Sequence, residues 1–499
     1  MTDVLVVAPF RKPTFRHAIS PWYPGEEPWD SPPFTAAGEI EAAGLEAGVL
    51  MLQNLFPAYD ERNDREELRD LLDAHRARAV LFVSDPFVAS RSTATLYGMR
   101  IVAELVRPGT VLGACGRLAT TAWPTLFAQL PALDFAVVGE ADATIGPAMR
   151  AILSHRPPAS APLDLPGVVF RERPPHPGAL VPARVDSLDE RALPAYHLAE
   201  PSLDVYVERM APGRPAPSIP FSLRTSLGCR FKCKFCAGVP HWREYRRKSA
   251  RRVEAEIEAL ERIPGGRARL AFLEDEVFTA DPDHVREIVP VLASHAVVLE
   301  GLYTHSSMIS EQVVELLRPV ARKVFLGMDS ADDEVLREMG KGQRFDSVLA
   351  AVKTAAAGGL PVHLEWIVGA PGETVDSTAK SLIAIFNLLS TGAVESVNTY
   401  VYCPHPGTEY AENGSAYDLA VLGDLESMQE SGGYPAAATK HLSREQVFVA
   451  YLLSQLVIQE TVQARAAAGP VAAVRAGNRA ALAALLEGVG SPDAARVLG

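Results

Sequence analysis

Gly228-Cys229-Arg230-Phe231-Lys232-Cys233-Lys234-Phe235-Cys236 places three cysteines within eight residues of a chain that has five in all. Three thiolates at this spacing can hold three irons of a [4Fe–4S] cube and leave the fourth iron open. An open iron takes an outside ligand, which points to chemistry rather than support. A structural zinc ion wants four protein ligands. His241 could complete a Cys₃His set, but no second ligand pair follows at zinc-finger spacing. Offsets of four and seven also fit one stripe of a helix, yet Arg230, Lys232 and Lys234 make a poor core segment. These cations suit a cluster of sulfurs, because nearby positive charge favours the thiolate. The preceding alternation in Phe221-Ser222-Leu223-Arg224-Thr225-Ser226-Leu227 reads as a strand running into a loop at Gly228.

Downstream of that loop the chain alternates strand-like and helix-like segments. Strands are expected at 222–226, 269–273, 297–304, 323–328, 361–368 and 396–402. Helices are expected between them at 250–262, 282–294, 310–318, 332–339, 347–358 and 375–390. Six such units make a parallel, curved sheet, closed or partly closed into a barrel, with its chemistry at the carboxyl ends of the strands. The cysteine loop follows the first strand. The last stretch, 411–499, is alanine-rich and reads as helical, with 445–468 the longest piece. Val447, Tyr451, Leu452, Leu456 and Val457 suggest an amphipathic stripe there.

Upstream, residues 1–155 also alternate. Strands are expected at 4–8, 49–54, 79–84, 110–114 and 135–138, and helices at 34–50, 64–78, 92–106 and 143–154. Continuous apolar strands with helical crossovers mean a doubly wound, Rossmann-like sheet. Ligands in such sheets bind beyond the carboxyl ends of the strands, near Pro9-Phe10, Asp85, 113–116 and Gly139-Glu140. Residues 156–220 are rich in proline, which blocks helix interiors and central strands, and read as a linker with room for a short strand at 167–170.

At 499 residues the chain has room for two or three domains. Its net charge of −13, from 48 basic and 61 acidic residues, argues against broad nucleic-acid binding. Met1-Thr2-Asp3-Val4-Leu5-Val6-Val7-Ala8-Pro9 reads as a buried strand, not a signal peptide. No apolar stretch reads as long enough to cross a bilayer. Clustered cysteines suit a reducing compartment, so the expected location is the cytoplasm, with no membrane partner.

The cysteine run resembles the signature of radical S-adenosylmethionine (SAM) enzymes, three cysteines separated by three and two residues. The wider pattern resembles the cobalamin-binding branch of that superfamily, the class B radical SAM methyltransferases. Phe272-Leu273-Glu274-Asp275-Glu276 resembles that branch's acidic second-strand end. Gly327-Met328-Asp329-Ser330 resembles its fourth-strand segment. Lys341-Gly342-Gln343 resembles its basic turn. Ile367-Val368-Gly369-Ala370-Pro371-Gly372-Glu373-Thr374 resembles its fifth-strand turn, and Tyr402-Cys403-Pro404-His405 its sixth-strand end. Pro32-Pro33-Phe34 and Val138-Gly139-Glu140 look like its cobalamin domain. The chain departs from the pattern in lacking the Asp-x-His-x-x-Gly segment that ligates cobalt in some cobalamin proteins. Methylthiotransferases share parts of the barrel pattern but carry three further N-terminal cysteines, where this chain has only Cys115.

The resemblance implies an α/β chain of four parts: a cobalamin-binding domain (1–155), a proline-rich linker (156–220), a partial (β/α)6 radical SAM barrel (221–410) and a helical C-terminal region (411–499). It implies a [4Fe–4S] cluster on Cys229, Cys233 and Cys236. It implies SAM contacts at Phe235, Glu274, Asp275, Asp329, Ser330, Ile367 and Glu373, and cobalamin contacts at Asp85, Ser90, Gly113, Cys115 and Gly139. Tyr402 and Cys403 are candidate catalytic groups, with a packed, inert cysteine as the alternative; His305, Glu365 and His405 are further pocket candidates. The implied activity is methylation of an unactivated carbon of a small metabolite, such as a natural-product intermediate. One SAM would supply a 5′-deoxyadenosyl radical and another the methyl group, passed on through methylcobalamin. The implied electron donor is an external flavodoxin or ferredoxin. A non-methylating oxidation, cyclisation or dehydration with the same cofactors is the alternative within enzymes. A non-catalytic cobalamin or Fe–S sensor is the alternative outside them.

Overall fold

The computed structural model describes residues 2–13, 28–86, 91–176, 179–210, 218–238, 244–430 and 433–466. They fall into two compact units. The first comprises 1–229, 237–275 and 290–297; the second comprises 230–236, 276–289 and 298–499.

The first unit is built on a six-stranded sheet in the order β2-β1-β3-β4-β5-β6. Its strands are β1 Val4–Ala8, β2 Ala47–Met51, β3 Ala79–Ser84, β4 Val111–Gly116, β5 Phe135–Val137 and β6 Val168–Phe170. The first five run parallel and β6 adds antiparallel at the edge. Every residue of β1 to β5 is buried, as continuous apolar strands covered on both faces require. β6 lies inside the proline-rich stretch, so 156–220 is more than a linker. Proline is tolerated next to an edge strand because an outer N–H has no ladder partner to lose. The helix Glu200–Met210 in the same stretch was not expected.

Helix limits moved where caps overrode composition. The helix expected at 34–50 is Ser31–Ala42, with Pro32 and Pro33 in its first turn, where the missing N–H bonds nothing. Gly44, at φ 79°, closes its end, and the remainder becomes β2. The helix Arg117–Gln129 was missed altogether. Pro124 lies inside it and Ala122 leaves helical geometry (φ −140°, ψ 24°), so the segment reads as a breaker. The first unit also holds the parallel pair β7 Ile219–Leu223 and β10 Ala268–Leu273, and the short antiparallel pair β8 Ser226–Leu227 and β9 Arg246–Arg247.

The second unit carries a four-stranded parallel sheet, β11 Leu302–Thr304, β12 Val324–Asp329, β13 Val362–Val368 and β14 Ser396–Val401, in that order. The six expected barrel strands therefore form two hydrogen-bonded ladders, a pair and a four. On one face of the larger sheet Leu326, Leu364, Trp366, Val397 and Val401 are buried. The other face presents half-buried Tyr303, Phe325, Glu365, Asn398 and Tyr400.

The C-terminal region is not helical throughout. An antiparallel pair, β15 Leu419–Val421 and β16 Ala437–Thr439, precedes the helix Arg444–Ala466. That helix packs on the helix Val375–Ser390 and on β14. Val447, Tyr451, Ser454 and Thr461 are its buried positions, whereas Leu452 and Leu456 of the expected stripe are exposed. Its stretch Arg444–Ala464 is long and apolar enough, by length and composition, to cross a membrane, contrary to expectation. Only 22% of that stretch is buried, and Val449, Leu452, Leu456 and Val462 are exposed.

Candidate active site

In the first unit Gly228 takes φ 85°, and a Cβ there would lie 2.1 Å from the Glu244 carbonyl oxygen. That close approach fixes the residue before Cys229 as glycine. In the second unit the segment carrying Cys233 and Cys236 docks on the turn after the helix Asp333–Glu338. The Lys234 amide donates to the Met339 carbonyl at 3.0 Å, and the Tyr410 amide donates to the Lys234 carbonyl at 3.2 Å. The Phe231 ring stacks on His305 with centroids 3.8 Å apart. Cys233 is buried, while Cys229 and Cys236 are half-buried.

Lys341 is the cation of this site. Its Nζ lies 2.5 Å from Asp329 Oδ2. Burial works against its charge, but Asp329 and the sulfurs of Cys233 and Cys236 outweigh it and hold the ammonium well above the usual lysine range. Asp329 reaches it from a left-handed backbone (φ 57°), where the β12–β13 register slips between Gly327 and Asp329. Burial and the nearby Lys341 push His305 down to about 4, so its ring is neutral at physiological pH.

Phe235 and Ile367 pack on one buried cluster with Met339, Ala370, Tyr402 and Tyr410. The Tyr402 hydroxyl is buried there with no hydrogen-bond partner among the described residues. A lone phenol in an apolar cluster is the kind of group a bound polar ligand satisfies. Burial pushes the Tyr402 hydroxyl far above the ordinary tyrosine range and the Cys403 thiol likewise, so both hold their protons. Cys403 is buried, at 3% exposure.

Other expected SAM contacts make hydrogen bonds and ion pairs within the chain. Ser330 Oγ accepts from the Asp332 amide at 3.1 Å. Glu373 is fully buried, and its Oε2 accepts from the Gly369 amide at 2.5 Å, closing the turn after β13. Glu274 and Asp275 belong to the first unit. Glu274 accepts from the Ser31 amide at 2.7 Å and pairs with Arg224 at 3.1 Å; Asp275 accepts from Thr225 and Ser226 at 2.5 to 2.7 Å.

Asp85, Cys115 and Gly139 come together in a narrow cleft of about 60 Å³ at the carboxyl ends of β3, β4 and β5. This is where a doubly wound sheet binds its ligand. Arg191, Arg224, Lys248 and Arg252 also line it. Asp85 is buried between Arg117 Nε at 2.7 Å and Arg224 Nη1 at 3.2 Å. Burial and Glu39 push Asp142, another lining residue, up to about 7. Arg191 Nη1 donates to the Asp142 carbonyl at 3.2 Å, and its Nε is buried without a hydrogen bond among the described residues. Gly113 does not line the cleft. It sits within β4, where a Cβ would meet the Phe135 ring at 2.1 Å, so its role is packing. Ser90 and His241 lie outside the described residues.

Among the described residues no three His, Cys, Asp or Glu side chains form a site for a metal ion. A cubane asks for something else, one sulfur on each of three irons rather than three donors on one ion. The Radical SAM superfamily model matches residues 223–382. The chain carries a radical SAM domain. Over 377 residues, 71% of this chain and 74% of the relative, it is 26% identical to an uncharacterised methyltransferase of Pyrococcus horikoshii. It is similar to TsrM from Kitasatospora setae, a radical S-adenosylmethionine methyltransferase solved with cobalamin and a [4Fe-4S] cluster bound. The TM-score is 0.61 at 17% identity, covering 91% of each chain. OxsB, a cobalamin-dependent S-adenosylmethionine radical enzyme, gives a TM-score of 0.55 at 13% identity, covering 87% of this chain and 57% of OxsB. The radical SAM domain thus follows a doubly wound sheet, in a fold similar to those of TsrM and OxsB.

Sequence reasoning missed Arg117, Arg191 and the two tyrosines beside Glu365. Arg117 carried a signal, since it follows the Gly116 that ends β4. Tyr303 and Tyr400 carried another, since polar residues alternate along strands expected to be apolar.

Proposed function

We propose that this chain is a cobalamin-dependent radical SAM methyltransferase that methylates an unactivated carbon of a small metabolite. The observation that carries the reading is the cleft lined by Asp85, Cys115 and Gly139, in a chain whose radical SAM domain bears the three-cysteine loop. Cys229, Cys233 and Cys236 would hold the [4Fe–4S] cluster. Phe235, Ile367 and Tyr402 would border SAM, and the cleft would take cobalamin. When bound, the cluster and SAM supply a 5′-deoxyadenosyl radical, and cobalamin carries the methyl group. The residues of the chain do the rest. Lys341 offsets the negative charge of the sulfurs. The cluster of Met339, Ala370 and Tyr410 excludes water beside Phe235. Arg224 and Lys248 line the cleft already paired, Arg224 with Asp85 and Glu274 and Lys248 with Glu256, so the polar wall is held in place by internal ion pairs. None of the five cysteines forms a disulfide, which suits a reducing cytoplasm supplying electrons through flavodoxin or ferredoxin.

The test is anaerobic reconstitution with iron, sulfide and cobalamin, followed by mass spectrometry of the products. Both 5′-deoxyadenosine and S-adenosylhomocysteine are expected. Deoxyadenosine alone would move the reading to a non-methylating radical reaction, and neither product would favour a sensor.

A further inference from the structure

The open face of the β11–β14 sheet carries one polar group set apart from the rest. Glu365 stands at its centre, opposite Gly327 on β12 and Asn398 on β14. Its Oε1 accepts from the Tyr400 hydroxyl at 3.1 Å and from the Tyr303 hydroxyl at 3.3 Å. Asn398 Nδ2 in turn donates to Tyr400 Oη at 3.3 Å. Strands β11 and β14 therefore converge on one carboxylate oxygen of β13. The other oxygen, Oε2, carries no hydrogen bond among the described residues, and the side chain is half-buried.

A barrel interior that serves only as core is filled with branched apolar side chains. Here the opposite face of the same strands is that core, with Leu364, Trp366 and Val397 buried in it. A carboxylate oriented by two phenols on the other face is costly unless it has a partner. Burial, Asp329 and Glu430 raise the Glu365 pKa to about 7, against Tyr400 and Lys341, and Lys341 is itself paired with Asp329 at 2.5 Å. Phe325 and Ile367 add apolar surface on the same face.

We infer that Glu365, oriented by Tyr303 and Tyr400, anchors the substrate through Oε2 by accepting a hydrogen bond from its nitrogen, and that the substrate is a small amine. This rests on the reading above that the barrel takes a small molecule. A lone carboxylate substrate would meet the Glu365 carboxylate with like charge, whereas an ammonium gains a charge-assisted hydrogen bond.

The probes are phenethylamine and its acidic counterpart 3-phenylpropanoate, titrated by calorimetry into full-length reconstituted protein. The wild type is expected to prefer the amine by about tenfold or more. Glu365→Gln should bring the two probes within about threefold of each other, and Tyr400→Phe should fall between. Equal binding of the probes by the wild type, or a preference that survives in Glu365→Gln, overturns the assignment. A merely structural Glu365 would weaken both probes alike. S-adenosylhomocysteine is measured on the same samples. Methyl transfer without amine preference sinks the anchor alone; amine preference without methyl transfer supports the anchor and sinks the methyltransferase reading.

Discussion

Glu373→Gln separates a turn-closing carboxyl from a SAM ligand. Glu373 is fully buried, and burial pushes its pKa from 4.5 up to about 8 against the opposing pull of the Gly369 amide and the Thr378 hydroxyl. A carboxyl raised in the folded state favours folding below its unfolded pKa, and that advantage is lost as pH rises through the folded value. The loss reaches about 2 kcal/mol at pH 6 and about 5 kcal/mol at pH 8.5, at roughly 1.4 kcal/mol per unit. Glutamine does not titrate, and its carbonyl can still accept from Gly369. Relative to wild type, the variant should therefore gain about 3 kcal/mol of stability between pH 6 and pH 8.5, whatever constant offset the substitution adds. Urea denaturation followed by tryptophan fluorescence reads this, since Trp366 is fully buried in the strand before the turn. The pH range stays above the isoelectric point of about 5.5. SAM affinity of the reconstituted variant should change by less than about tenfold. A pH-independent difference in stability, or a SAM affinity that collapses while the fold survives, would refute the argument.

Two further outcomes follow from the first unit. Gly113→Ala should destabilise by about 1–3 kcal/mol through overpacking against Phe135, and adding Phe135→Leu should restore much of it; failure of that rescue in thermal melts would return Gly113 to the list of ligand contacts. Asp85→Asn removes the carboxylate shared by Arg117 and Arg224, both well buried, and should lower stability by about 3–5 kcal/mol. It should also weaken corrinoid retention after gel filtration, read from visible absorption, and unchanged retention would contradict the cleft's role.

Element order was legible because apolar strands, proline and glycine are local signals. β1, β3 and β13 lie within a residue of their expected limits. Tertiary pairing was not legible. Nothing local says that β10 pairs only with β7, or that β6 adds to an edge through proline-rich chain. The same limit applies to the site. Glu274 and Asp275 stood out as acidic residues at a strand end, a pattern shared by ligands and by capping networks. Only the serine, threonine and arginine partners identify the network. Gly113 and Gly139 looked alike in sequence, but one faces Phe135 and the other lines the cleft. Lys341 was visible as a basic turn, and its pairing with Asp329 depends on a bulge that register alone reveals.

The most direct measurement is electron paramagnetic resonance of anaerobically reconstituted, reduced protein, with metal analysis of the same sample. The account predicts iron, a [4Fe–4S] signal that changes on adding SAM, and loss of that signal in Cys233→Ala. Zinc in place of iron, or a cluster signal indifferent to SAM, would contradict it.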